Sequence, residues 1–81
     1  MNTIDDRFFR IIDINGPMGN AFALMGEAQS LGKQLGFSKL AIEGIIAEMT
    51  LSDYEHLLQT FIKHFGEYVT LIRDGSPVKC N

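Results

Sequence analysis

Three helical segments framed by two short strand-like segments leave few folds open to this chain. Residues 7–14, RFFRIIDI, and residues 67–73, EYVTLIR, are rich in β-branched and aromatic residues and short enough for strands. Between them, apolar residues recur at three- and four-residue steps, the spacing of amphipathic helices. The order β-α-α-α-β predicts a small α+β domain in which three helices pack on a two-stranded antiparallel sheet.

The first helix has two possible starting points and one clear end. Pro17 suits the first position of a helix, whereas Asn20 is an alternative, later N-cap. Gly36 is a typical C-terminal stop. The residues that carry the helical repeat are Leu24, Ala28, Leu31 and Leu35, with Phe22 and Met25 beside them.

Capping residues also mark the second and third helices. Ser38 is the predicted N-cap of the second helix, which ends near Thr50. Ser52 and Glu55 have the spacing of a capping box at the start of the third helix, and Gly66 ends it. The inward face of the second helix is predicted as Ile42, Ile45, Ile46 and Met49, and that of the third as Tyr54, Leu57, Leu58, Phe61, Ile62 and Phe65.

Length and composition indicate one soluble domain. The chain has 81 residues, of which 46% are hydrophobic and 21% charged, the balance of a globular protein. We expect residues 1–81 to form a single domain, with residues 74–81 as a flexible C-terminal tail after a turn at Asp74-Gly75. No apolar stretch reaches the ~20 residues of a membrane span. The single cysteine, Cys80, and the absence of a signal-peptide pattern favour the cytoplasm.

Excess apolar surface predicts self-association. Both faces of each strand carry apolar residues, but helices can cover only one face of a two-stranded sheet. The second helix is small or apolar on two sides, and such a helix usually packs on two sides. We therefore expect a homodimer, with the interface formed either by the strand edges, at Phe8 and Ile12 of the first strand, or by Leu40, Gly44 and Ala47 of the second helix.

An acidic middle segment bears on the choice of partner. Glu43, Glu48, Asp53 and Glu55 lie in an interval, from residue 40 to residue 62, that has no Lys or Arg. Such a segment repels polyanions, so nucleic acid is an unfavourable partner and a basic protein a possible one. A helix-turn-helix transcriptional regulator remains an alternative, because two helices are joined by a short turn, although the second of them begins with acidic rather than basic residues.

The turn DINGPMGN, residues 13–20, lies between a strand and a helix, where phosphate-binding loops often occur. It matches neither the Walker loop, which needs Gly-Lys-Ser/Thr after the first glycine, nor the dinucleotide fingerprint, which needs a second glycine where Met18 stands. A weak anion or ligand site formed by Gly16, Gly19 and Asn20 at the start of the helix is the remaining alternative to an ordinary turn.

No residue pattern indicates catalysis, a metal or a cofactor. His56 and His64 are eight residues apart on the third helix, about 12 Å along its axis, which is too far for one metal ion to bind both. Glu43 and Glu48 lack nearby polar residues that would make them an acid–base pair. We therefore expect a non-enzymatic protein without cofactor.

Four stretches, GNAFALMG, IIAEM, SDYEHL and FIKHFGEYV, resemble a group of short uncharacterised bacterial proteins that are associated with phages and other mobile elements. The resemblance covers about residues 15–72. It implies a small accessory protein that binds something larger, and it implies no catalytic or ligand-binding residues.

Overall fold

The computed structural model describes residues 10–79, which form three helices and three strands. In chain order these are β1 (Arg10–Asp13), α1 (Ala21–Gln34), α2 (Lys39–Met49), α3 (Tyr54–Phe65), β2 (Val69–Arg73) and β3 (Ser76–Pro77). The predicted order of two strands around three helices is confirmed, and β3 is an addition to it. No helix within residues 10–79 is long and apolar enough to cross a membrane.

The sheet corrects the expected strand pairing. It is a three-stranded mixed sheet in the order β1-β2-β3, in which β1 and β2 run parallel rather than antiparallel. Ile12 pairs with Leu71 in this register, and both side chains point towards the helices. A parallel pair needs a crossover connection, and here the chain passes through all three helices before it returns to the sheet.

A tight hairpin links β2 to β3. Its two central residues, Asp74 and Gly75, have φ angles of 54° and 80°, as a two-residue turn of type I′ requires. Val78 then donates a backbone hydrogen bond to Leu71 at 2.8 Å. The described part of the segment expected as a flexible tail thus turns back along β2, and the carbonyl of Lys79 accepts a 2.7 Å hydrogen bond from Gln59 of α3.

Side-chain caps fix where the helices begin. Asn20 caps α1, so the later of the two starting points is the observed one, and Ser38 caps α2 as predicted. Helix α3 starts one residue later than expected, because the side chain of Asp53 accepts the hydrogen bond from the His56 amide. The predicted capping box does not form, since Glu55 is bound to Arg73 instead.

One core lies between the sheet and the helices. It takes most of the apolar residues predicted for the inward helix faces, among them Leu24, Met49, Leu58, Phe61 and Phe65. Phe22, expected beside the stripe of α1, is instead exposed. From the sheet, alternate residues contribute, namely Ile12, Ile14, Val69 and Leu71. Arg10 also points towards the helices, and its guanidinium forms an ion pair with the buried carboxylate of Glu27 on α1.

Gly19 allows the turn before α1 to pass close to the end of β1. A Cβ atom at this position would lie 1.6 Å from the carbonyl oxygen of Ile14, far inside any permitted contact. Since the clash is with backbone and not with a flexible side chain, a larger residue would move the whole turn.

We predict that Gly19→Ala lowers the free energy of unfolding by about 2 kcal/mol or more, because the backbone has to shift. Gly26→Ala is the matched control: Gly26 lies in α1 and nothing is within 4 Å of its Cβ position, so alanine should raise stability by roughly 0.5–1 kcal/mol. Urea unfolding followed by circular dichroism measures both. Equal stability of Gly19→Ala and the wild-type protein would contradict the close approach.

Candidate interaction surface

The outward face of α2 carries an apolar stripe. Its residues follow one another at alternating steps of three and four, continue beyond both ends of the helix, and are all exposed: Phe37, Leu40, Gly44, Ala47 and Leu51. We call this set the α2 stripe. Leu40 and Leu51 keep 79% and 74% of their surface exposed, although both are large apolar side chains. The opposite face of the same helix, with Ile42, Ile45 and Met49, is buried in the monomer.

Gly44 lies at the centre of the α2 stripe. Nothing in the described part of the chain lies within 4 Å of the Cβ position at Gly44, so the monomer leaves open space there. This differs from Gly32 of α1, where a Cβ would come within 2.7 Å of Ile42 and the glycine is needed for helix packing. Packing within the monomer therefore gives no reason for a glycine at position 44.

An open groove runs beside the α2 stripe, between α1 and α2, with a volume of about 690 Å³. We call it the α1–α2 groove. Its apolar lining is Phe37, Ile42, Ile46 and Ala47, and its polar lining is Gln29, Lys33, Lys39 and Glu43. Phe37 and Ala47 belong to both surfaces, so the α2 stripe and the groove form one continuous apolar region.

The interface residues expected from the sequence divide into two sets. Leu40, Gly44 and Ala47 lie together on the exposed face of α2. Ile12 is only 4% exposed, because it is on the sheet face that the helices cover, whereas the neighbouring Ile11 is 72% exposed on the opposite face. The prediction that Ile12 forms part of an exposed interface is therefore wrong. Phe8 lies outside the described residues.

The expected acidic face does not form a set of free carboxylates. Glu48 receives hydrogen bonds from Lys63 Nζ at 2.5 Å and from His64 Nε2 at 3.0 Å, and Glu55 forms a two-bond ion pair with Arg73. Asp53 caps α3. Glu43 has no ion pair among the described residues and lines the α1–α2 groove.

Both histidines of α3 contact Glu48 at the end of α2. His56 Nε2 donates to the backbone carbonyl of Glu48 at 2.8 Å, while His64 binds its carboxylate. These contacts hold α3 against α2. Within residues 10–79, no three His, Cys, Asp or Glu side chains are placed to hold a metal ion.

Hydrogen bonds within the turn at residues 13–20 occupy the backbone amides of both its glycines. The amide of Gly16 donates to the Asp13 carbonyl and that of Gly19 to the Gly16 carbonyl, both at 3.0 Å. The side chain of Asn20 accepts from the Ala23 amide and donates to the Pro17 carbonyl. The amides at Gly16 and Gly19 that an anion would need are already bonded, so this geometry does not favour the anion site.

The same turn is tied to the β2–β3 hairpin. Asn15 accepts a 2.7 Å hydrogen bond from the Asp74 amide, and its side-chain amide donates to the Asp74 carboxylate at 3.3 Å. These contacts hold the turns that follow the two parallel strands against each other. Asp74-Gly75 is a known hairpin signal, so the sequence did contain the information needed to expect β3.

A helix-turn-helix arrangement would require α3 to present a basic face to DNA. The start of α3 instead carries Asp53, which caps the helix, and Glu55, which already holds Arg73. The positions from which a recognition helix usually reads bases therefore carry acidic rather than basic side chains.

Comparison with known proteins identifies no relative: no family model matches the chain, no curated protein matches it, and no solved structure matches it.

Folding lowers the pKa of Glu48 from 4.5 to about 2, chiefly through the hydrogen bonds from Lys63 and His64. A carboxylate whose pKa falls on folding stabilises the native state above its unfolded pKa, and this stabilisation is lost as the pH falls towards the folded pKa. We predict that the wild-type protein loses stability between pH 4.5 and about 2, and that Glu48→Gln shows a shallower loss in this window.

Glu43→Gln is the matched control for this pH prediction, since Glu43 lies on the same helix and has no ion pair among the described residues. Urea unfolding at several pH values below 5 compares the three proteins. If Glu43→Gln flattened the profile as much as Glu48→Gln did, the ion pairs of Glu48 would not be the cause.

Proposed function

We propose that this protein is a non-enzymatic protein–protein interaction module that forms a homodimer through the α2 stripe. The observation that carries the proposal is Gly44, an exposed glycine in the middle of a helix, set between the exposed apolar side chains of Leu40 and Ala47. A contiguous exposed apolar surface on a small protein is typical of an interaction site.

Gly44 has an energetic cost for the monomer. Glycine within a helix destabilises a protein by roughly 0.5–1 kcal/mol relative to alanine, because it loses more backbone entropy on folding. No atom of the described monomer occupies the space that the missing side chain leaves. Close approach of a second backbone to α2 would use that space, and it gives the glycine a physical role.

The pattern of the α2 stripe also suits a two-fold contact with a second copy. Alternating steps of three and four residues form the seam along which helices pack in coiled coils. The large side chains of Phe37, Leu40 and Leu51 lie towards the two ends, and the small residues Gly44 and Ala47 lie between them. In an antiparallel arrangement about Gly44, the two glycines face each other, Leu40 of each copy faces Ala47 of the other, and Leu51 of each copy faces Phe37 of the other.

A wider accessory role agrees with this proposal. The resemblance to short uncharacterised bacterial proteins associated with phages and mobile elements implies a small accessory protein, which would act by binding a larger partner. The α2 stripe is the surface that we propose for association.

We predict that Gly44→Arg shifts the mass in solution from about twice 9.1 kDa to 9.1 kDa, because the long charged side chain holds the two helices apart. Size-exclusion chromatography with light scattering, over a range of protein concentrations, measures the mass. Gly26→Arg is the matched control, since Gly26 is also an exposed glycine within a helix with nothing within 4 Å of its Cβ position.

The control should remain a dimer with an unchanged circular dichroism spectrum. A wild-type mass of 9.1 kDa at every concentration would overturn the homodimer. Loss of the dimer in both arginine variants would show that α2 is not specifically involved.

A further inference from the structure

We infer that the α1–α2 groove binds an amphipathic helix of another protein whose polar flank carries carboxylates. The inference rests on the proposed function as an interaction module, but it concerns the surface beside the α2 stripe and a different partner. Its basis is the shape of the groove, its apolar lining and the lysines at its rim.

The groove has the form that helix-in-groove recognition uses. Two neighbouring helices form its walls, and Ile42, Ile46 and Ala47 of α2 supply apolar lining. A volume of about 690 Å³, open to solvent, is sufficient for the apolar side chains from one face of a docked helix. Such helices insert residues spaced three or four apart along the chain.

The charges at the rim of the groove determine which charges the polar flank of the partner helix should carry. Within residues 10–79, Arg10, Lys63 and Arg73 each form an ion pair with a glutamate. Lys33 of α1 and Lys39 of α2 form none there, and both line the groove. These two lysines are thus placed to pair with carboxylates that lie beside the apolar residues of a ligand.

Glu43 also lines the groove, one helical turn beyond Lys39. The rim therefore has two positive groups and one negative group, and a partner helix would place its carboxylates near the lysines rather than along its whole length. This uneven charge would also fix the direction in which the helix lies.

A protein helix fits the surface better than a small molecule does. Lys33 and Lys39 lie on different helices, α1 and α2, and the apolar residues Ile42 and Ile46 are about one turn apart along α2. An amphipathic helix presents apolar residues at this spacing and carboxylates on its flank at the same time. Leu40 and Leu51 are left to the proposed dimer contact.

The test uses the full 81-residue chain and a synthetic helical peptide with leucines at three- and four-residue spacing flanked by glutamates. A second peptide, identical except that lysine replaces each glutamate, is the control. We expect the glutamate peptide to shift the NMR amide resonances of Phe37, Ile42 and Ile46, and the lysine peptide to bind at least roughly tenfold more weakly.

Reversing the charge of two lysines in the protein tests whether the rim contributes electrostatically or whether the groove binds through its apolar lining alone. Lys33→Glu combined with Lys39→Glu should reverse the preference between the two peptides. Lys79→Glu is the matched control, because Lys79 is exposed, has no ion pair among the described residues and does not line the groove. It should keep the wild-type preference.

Equal binding of the two peptides, or an unchanged preference after reversal at Lys33 and Lys39, would overturn the inference. Resonances of Ile42 and Ile46 that move on dilution of the monomeric Gly44→Arg variant without peptide would assign the groove to a second copy, and this would overturn the inference. Binding of decanoate without binding of either peptide would assign the groove to a small anionic amphiphile and would overturn it too. Peptide binding by Gly44→Arg as a monomer would show that the groove acts independently of the dimer.

Discussion

The parallel pairing of β1 with β2 is the constraint on which the other features of this fold depend. Two adjacent parallel strands need a connection long enough to return the chain to its starting edge, and here that connection is the whole helical part. Elements joined by short connections usually run in opposite directions, and four such reversals from β1 through α1, α2 and α3 restore the original direction in β2. All three helices are consequently available to one face of the sheet, which leaves Ile11 exposed on the other.

Ion pairs reinforce this arrangement at the junctions between elements. Arg10 connects β1 to α1 through Glu27, Glu48 connects α2 to α3, and Arg73 connects β2 to α3 through Glu55. The last two pairs are partly exposed, so each contributes modestly and specifies which surfaces meet more than it stabilises them. They also reduce the negative charge of the acidic stretch, because Lys63 and Arg73, which follow it in the sequence, pair with Glu48 and Glu55.

Local signals in the sequence predicted local structure well and pairing poorly. The helix-forming periodicity, the Ser38 cap and the Gly36 stop act over a few residues, and the structure confirms each of them. Strand direction depends on the number of reversals between strands, which no single motif encodes, although counting the helices would have given the parallel answer. The burial of Ile12 depends on which face of the sheet the helices cover. Likewise, the Ser52–Glu55 capping box was a sound local expectation that a long-range contact with Arg73 displaced.

The sequence could indicate that α2 has a second apolar face, because a helix that is apolar on two sides needs partners on two sides. It could not indicate which of the two faces packs in the core of the monomer. The core takes Ile42, Ile45 and Met49, whose branched or long side chains fill volume, and leaves the face with Gly44, which fills none. If this face packed in the monomer core, a larger side chain at position 44 would stabilise the native state, since buried apolar volume is stabilising. A glycine there agrees instead with the proposed contact, in which a second backbone approaches α2 and covers the exposed leucines beside Gly44.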